Sequence, residues 1–396
     1  MDADTLPLSD VTVVELGNIV AGPFASLMLA DLGAEVIKVE RPGVGDIIRS
    51  SGQTGDAMFA ALNRNKRSVT LDLKADAGKE AFVELVGDAD VFVENMGRGA
   101  AERLGIGYDD LRDVNRGLVY LSIKGFQEGP YGDRPGMDVV AEAMSGLMSV
   151  TGEKGRQPVR VGTSIADMGG ALYGVMGVLM ALRERDETGE GQRIDGTLFE
   201  ASTHWMGYWM TYAHLLGEDP EPLGASHPSW GLYDVFETDG GWLFVGVTTE
   251  RHWPAFCRAA DMEELLADER FDTAEKRRER KEELTEAVAE GLQGRDREEL
   301  LAAFEAENVP AAPVNEPSDL IDDPHLEEAG LLAEFTAESE GEEHDLQTAL
   351  TPVVGDRMAP EQRLDPPALG EHTEEVFAAT DLDVASLRDR GAFGGE

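Results

Sequence analysis

The chain has 396 residues with 78 acidic against 34 basic side chains, a formal net charge of -44, which excludes nucleic acid and anionic membrane surfaces as natural partners. Its 42% hydrophobic content is that of a folded protein rather than a disordered one, and its length favours two domains. A single cysteine, Cys257, excludes an internal disulfide framework.

In chain order, the first part alternates strands and helices. Val11–Leu16 is a β-branched strand, followed by the loop Gly17–Gly22, with Pro23 at the favoured first helical position. An apolar helix runs to Leu32 and closes at Gly33. Further strands are predicted at Ala34–Glu40, Ser68–Leu73, Asp90–Glu94 and Leu118–Ile123, with helices near Gly78–Val86 and Tyr108–Val114. This alternation predicts a parallel α/β sheet covered on both faces, with ligands beyond the carboxyl ends of the strands. From Met144 the chain becomes helical. Asp167–Arg185 is strongly apolar, Gly189–Gly191 is a turn, and Ile194–Met210 is a second apolar stretch rich in aromatics. A hairpin follows at Gly231–Val247, then charged helices at Asp272–Leu292 and Asp296–Glu307. The acidic tail from Glu338 carries one strand-like piece, Leu350–Val354. The domains expected are a large one over 1–200, a linker over 201–224, a small α+β domain over 225–330, and a return to the large domain over 331–396. The acidic opening Met1–Asp10 lacks the apolar segment of a signal peptide, and the apolar run Leu172–Leu182 is too short for a membrane helix. A cytoplasmic protein is expected, in a saline cytoplasm whose salt screens the surface charge.

The loop Gly17–Gly22 lacks the G-x-G-x-x-G spacing, and no P-loop lysine motif occurs, so NAD or ATP held by the standard loops is not expected. Arg41, at the end of the second strand, suits a phosphate fork or an exposed strand-end charge. Seven histidines form neither H-x-x-x-H nor H-E-x-x-H, and no G-x-S-x-G elbow occurs, which leaves motif-built zinc sites and serine hydrolases unsupported. Asp167, in Gly162–Gly170 before the apolar helix, is placed either as a plain helix cap or as a carboxylate kept ionised by the helix start. Gly169 and Gly170 would admit a close substrate.

Taken together, the successions Glu15–Pro23 and Leu32–Glu40 resemble the class III coenzyme A transferases, the formyl-CoA and carnitine-CoA transferase relatives. Asn65-Lys66-Arg67-Ser68, Val93-Glu94-Asn95, Ala166-Asp167, Thr188–Gln192 and Leu369–Thr373 continue the resemblance in order across nearly the whole chain. The resemblance implies a Rossmann-like large domain with a smaller α+β domain, in an interlocked homodimer. It implies Asp167 as the covalent nucleophile, with a coenzyme A thioester as substrate and no tightly bound cofactor. It also implies that Asn18, Val20, Ala21, Arg41, Leu71, Asn95, Met96 and Arg103 line the coenzyme A channel. Where many relatives carry a run of glycines, this chain reads His227-Pro228-Ser229-Trp230-Gly231. Where the related racemases place a histidine base before an aspartate, it reads Met137-Asp138, and methionine abstracts no proton. A racemase, or a coenzyme A-binding protein without catalysis, are the alternatives. The expected partners are an acyl-CoA and a small carboxylic acid. Succinyl-CoA and mesaconate are the first choice, with Arg49, Arg160, His227, Ser229 and Trp230 as candidates for the distal carboxylate.

Overall fold

A computed structural model describes residues 6–394; Met1–Thr5, part of the acidic opening, and the last two residues lie outside them. The chain divides into two compact units. One comprises Met1–Leu147, Arg160–Thr211 and Asp322–Glu396, the other Met148–Val159 and Tyr212–Ile321.

The first unit is built on the elements β1 (Thr12–Leu16), α1 (Ala21–Asp31), β2 (Glu35–Glu40), α2 (Gly52–Asn63), β3 (Lys66–Thr70), α3 (Asp76–Gly87) and β4 (Val91–Glu94). These are followed by α4 (Ala100–Leu104), α5 (Tyr108–Val114), β5 (Val119–Lys124), α6 (Asp138–Ser145), α8 (Ile165–Thr188), β6 (Arg193–Thr197) and α9 (Leu198–Trp205), while α7 (Leu147–Val150) falls across the division into the second unit. Six strands form one sheet in the order β3-β2-β1-β4-β5-β6, every pair parallel. The four central strands, β2, β1, β4 and β5, alternate between two cores. Val13, Val36, Val91, Val93 and Leu121 pack with α1 and α8 on one face, and Val14, Ile37, Phe92 and Tyr120 with α3 on the other. The order reverses between β1 and β4, whose registers end at Leu16 opposite Glu94. Loops leaving the carboxyl ends of these two strands diverge and open a crevice, the usual ligand position in such sheets.

The α8 helix runs 24 residues, and a window within it reaches a mean hydropathy of 1.6, long and apolar enough to cross a membrane. This corrects the reading of a run too short to do so. Its Ala166, Ala171, Val175, Val178 and Leu182 lie in the sheet-covering core, so it is a core helix. Leu332–Ser339 (β10) and Glu342–Ala349 (β11), later in the same unit, pair as an antiparallel hairpin.

In the second unit, Leu232–Thr238 (β7), Gly241–Val247 (β8) and Ala311–Pro313 (β9) form an antiparallel sheet. The β7–β8 turn passes through Gly240 and Gly241, both at positive φ. Phe236, Leu243, Val245, Trp253, Phe256, Leu284 and Phe304 form its core.

Candidate active site

The site begins with charge buried under the sheet ends. Glu15 accepts from Lys38 Nζ and Lys66 Nζ, each at 2.8 Å, and from Ser26 Oγ at 2.6 Å. Lys38 Nζ also donates to Gly17 O at 3.0 Å and pairs with Asp46 at 3.0 Å. All four charged side chains are buried. Burial pushes the Glu15 carboxyl up, but the Lys38 and Lys66 ammonium groups outweigh it and hold its pKa at about 2. Burial wins at Lys66, where Glu15 recovers part of the loss and the pKa falls to about 8.

This network holds the loop after β1. The Asp46 carboxylate accepts from the Ile19 N–H at 3.0 Å. Asn95, just past β4, clamps the same loop in both directions, accepting from Asn18 N at 2.8 Å and donating to Asn18 O at 2.9 Å. Ile19 is thereby held at φ 65°, a conformation β-branched residues rarely adopt, with its side chain exposed. A methyl group on Gly22 would lie 2.9 Å from Gly17 Cα and 3.1 Å from Asn95 Oδ1, so only glycine lets α1 start this close to the loop.

Beyond this loop lies a cavity of about 720 Å³. Asn18, Val20, Ala21, Asn95, Met96, Met137, Arg160 and Asp167 line it, so eight of the residues singled out in the sequence share one space. Asp167 is the third residue of α8 and does not cap the helix. Asp138 does so from α6, its Oδ1 accepting from Ala166 N at 2.8 Å and Asp167 N at 3.3 Å. Among the described residues the Asp167 carboxylate makes no hydrogen bond or ion pair. Burial first, then the Asp138 charge, raises its pKa from 3.8 to about 7, against the expectation that the helix start holds it low. Gly169 and Gly170 do not open toward substrate. A methyl group on Gly169 would lie 2.3 Å from the Trp205 ring, and one on Gly170 would lie 3.1 Å from Leu198, so these glycines let α8 pack on α9.

A crevice at the switch point of a parallel sheet, holding a half-buried free carboxylate, is matched by the comparisons with known proteins. The model of "CoA-transferase family III" matches residues 8–373. The chain belongs to this family. A "Succinyl-CoA:mesaconate CoA-transferase" of Haloarcula marismortui is 35% identical, covering 96% of this chain and 98% of that one. Human "Succinyl-CoA:glutarate CoA-transferase" is 32% identical, covering 97% and 89%. The crystal structure of a CAIB/BAIF family protein from Brucella suis superposes with a TM-score of 0.87 at 33% identity, covering 94% of this chain and 99% of that one. The family III CoA-transferase described here is therefore an enzyme of the class its sequence resembles.

The remaining candidates fall elsewhere. Arg41 and Leu71 line a second cavity of about 270 Å³ on the first unit, together with Lys74, and Asn18 and Met96 line both cavities. Arg103 is exposed on α4 and lines neither. Arg49 donates to Glu40 through Nε and Nη2, both at 2.8 Å, and its guanidinium lies 3.6 Å from the centre of the Phe59 ring. It lines a third cavity, with Asp56 and Glu338. His227, Ser229, Trp230 and Gly231 belong to the second unit. His227 stacks on Trp230 at 4.1 Å and accepts from Ser229 N at 3.1 Å, while burial and then Lys281 lower its pKa. Gly231 packs against Arg277.

Sequence reasoning missed several lining residues. Lys124 pairs with Glu94 at 2.6 Å, and Arg98 donates to Gly132 O at 2.8 Å. Arg134 lies 4.5 Å from the Tyr131 ring centre; Arg160, which the sequence did single out, donates to Val161 O. Among the described residues neither Arg134 nor Arg160 is in an ion pair. The positive charge around Arg134 carried no motif, and only a folded chain reveals which arginines lack carboxylate partners.

Proposed function

We propose that this transferase moves coenzyme A from succinyl-CoA to mesaconate or a similar C4–C5 dicarboxylate, through covalent intermediates on Asp167. The observation that carries the reading is the shared cavity. It holds a carboxylate, the loop Asn18–Ala21, and two guanidinium groups, Arg134 and Arg160, and among the described residues the carboxylate has no partner and neither guanidinium has a carboxylate partner. The names of the haloarchaeal and human relatives support the donor and the dicarboxylate class.

The Asp167 carboxylate attacks the thioester carbonyl, the C–S bond breaks, and a mixed anhydride forms with release of coenzyme A thiolate. The thiolate attacks the aspartyl carbonyl, giving aspartyl-CoA thioester and free succinate. The acceptor carboxylate attacks that thioester, forming a second anhydride and thiolate. Attack of the thiolate on the acceptor carbonyl gives the new acyl-CoA and regenerates Asp167. The backbone N–H groups of the loop stabilise the oxyanions of these steps. The second cavity takes the nucleotide end, with Arg41 at its phosphates and Leu71 and Met96 against the apolar parts. Arg134 and Arg160 pair with the distal carboxylate that a dicarboxylate keeps throughout. Function in a saline cytoplasm, as a homodimer, completes the reading.

Competition between mesaconate, oxalate and carnitine for succinyl-CoA in molar KCl tests the substrate. Preference for mesaconate or its dicarboxylate relatives is expected. Equal or better use of oxalate or carnitine would overturn it. Arg134→Ala and Arg160→Ala are each expected to raise the acceptor KM about tenfold or more, and the succinyl-CoA KM less, because the coenzyme A moiety supplies most of the donor's contacts.

A further inference from the structure

Asp138 and Glu142 stand one helical turn apart on α6, and both are buried. Each spends one carboxyl oxygen on the chain around Asp167. Asp138 Oδ1 takes the N–H groups of Ala166 and Asp167, and Glu142 Oε2 accepts from Val161 N at 2.8 Å. The other oxygen of each, Asp138 Oδ2 and Glu142 Oε1, is buried and among the described residues has no donor to meet it. One turn apart on α6, the two leftover oxygens belong to neighbouring buried carboxyl groups on one helix face. Two carboxylates cannot bond without a proton between them, and two buried like charges on one turn repel.

We propose that Glu142 is a neutral acid whose proton is shared with Asp138, and that this pair is the positioning device for Asp167. The pair grips the segment 161–167 at both ends, fixing Arg160 and Asp167 across the cavity. Burial, followed by Asp138, raises the Glu142 pKa, while the Val161 N–H and Arg160 oppose the rise. The ionisable groups acting on Glu142 are Asp138 on its own helix and Arg160 on the gripped segment, and Asp167 stands on α8, which packs against α6. Glu200 and His204 stand on α9, which also packs against α6. The role in positioning rests on Asp167 being the nucleophile; the shared proton does not.

The test compares the wild type with Glu142→Gln and Glu142→Leu. Glutamine supplies a permanent donor to Asp138 Oδ2 and still accepts from Val161, whereas leucine leaves both unpartnered. Wild-type kcat is expected to fall at alkaline pH as the shared proton is lost. Glu142→Gln is expected to keep neutral-pH kcat within about threefold and to lose that alkaline limb. Glu142→Leu is expected to lose about tenfold or more in kcat with the acyl-CoA KM little changed. In the infrared at pH 8, Glu142→Gln is expected to remove a carboxylic-acid band present in the wild type. Coincident alkaline limbs in wild type and Glu142→Gln, or a Glu142→Gln as impaired as Glu142→Leu, would overturn the positioning role. A missing acid band in the wild type would overturn the shared proton.

Discussion

At the residue scale the protein places a carboxylate where ionisation is costly. Asp167 is pushed from 3.8 to about 7 by burial and by Asp138. A nucleophile must be ionised to attack, so kcat/KM for the acyl-CoA is expected to rise with pH through about 7, ahead of the alkaline fall expected from the Glu142 pair. A rate independent of pH from mildly acidic to neutral conditions would contradict the assignment. The same displacement carries a stability prediction. The folded pKa lies above the unfolded one, so the fold disfavours ionisation of this group. The penalty is absent below 3.8, grows as pH rises, and is complete above about 7. It amounts to at most ~4 kcal/mol, and to ~2 kcal/mol after screening of a half-buried group. Asp167→Asn should therefore be more stable than the wild type in chemical denaturation at pH 8, by about 2 kcal/mol, while losing turnover. Equal stability at pH 8 would contradict the electrostatic account.

At the scale of elements, the site is a set of supports. Lys66, Glu15, Lys38 and Asp46 carry an unbroken chain of buried ion pairs from β3 to the loop after β2, and Asp46 then holds the loop after β1 through the Ile19 N–H. Asp46→Ala leaves Lys38 short of one counter-charge and the Ile19 N–H without its acceptor. It is expected to cost about 3 to 5 kcal/mol in denaturation and to weaken acyl-CoA binding. Unchanged affinity in a folded variant would show that the loop needs no such support. Much of this architecture was legible in the sequence. The β-branched runs Val11–Leu16, Ala34–Glu40 and Asp90–Glu94 mark buried parallel strands, and the hairpin at Gly231–Val247 shows in its turn residues. Other elements were not. β6, Arg193–Thr197, merges into an apolar stretch that reads as helix, because an edge strand of a parallel sheet has no periodicity of its own. The strand-like Leu350–Val354 is irregular, and the hairpin lies just before it in β10 and β11. β11 is Glu342–Ala349, whose mostly exposed polar residues carry no apolar signal. Pro23 falls at the third helical position, because α1 begins at Ala21. The family context singled out Asp167, which the structure places in the cavity. Asp138 as the cap, and Glu142 behind it, were not, since the bonds they make join α6 to residues 19 to 29 positions later.

At the scale of the whole molecule, charge and apolar surface set the expectations. A net charge of -44 on 396 residues makes the fold repel itself in dilute buffer. The melting temperature should climb steeply between low salt and molar KCl, where screening shortens to ~3 Å. A melting temperature insensitive to salt would contradict a salt-adapted surface. Leu172, Met176, Leu179 and Met180 form an exposed apolar stripe along α8 at helical spacing. A second copy of the chain is the occupant proposed for it, so light scattering in molar KCl should give twice the chain mass. Met176→Asp should shift this toward a single chain, and a wild type that runs as one chain would contradict the dimer.

The central claim is covalent chemistry at Asp167, and trapping the acyl-enzyme tests it most directly. The wild type, incubated with succinyl-CoA and hydroxylamine in molar KCl and digested, is expected to yield a hydroxamate on the peptide carrying Asp167. Asp167→Asn should yield none. An actively transferring enzyme with no adduct at Asp167, or with the adduct on another carboxylate, would contradict the account.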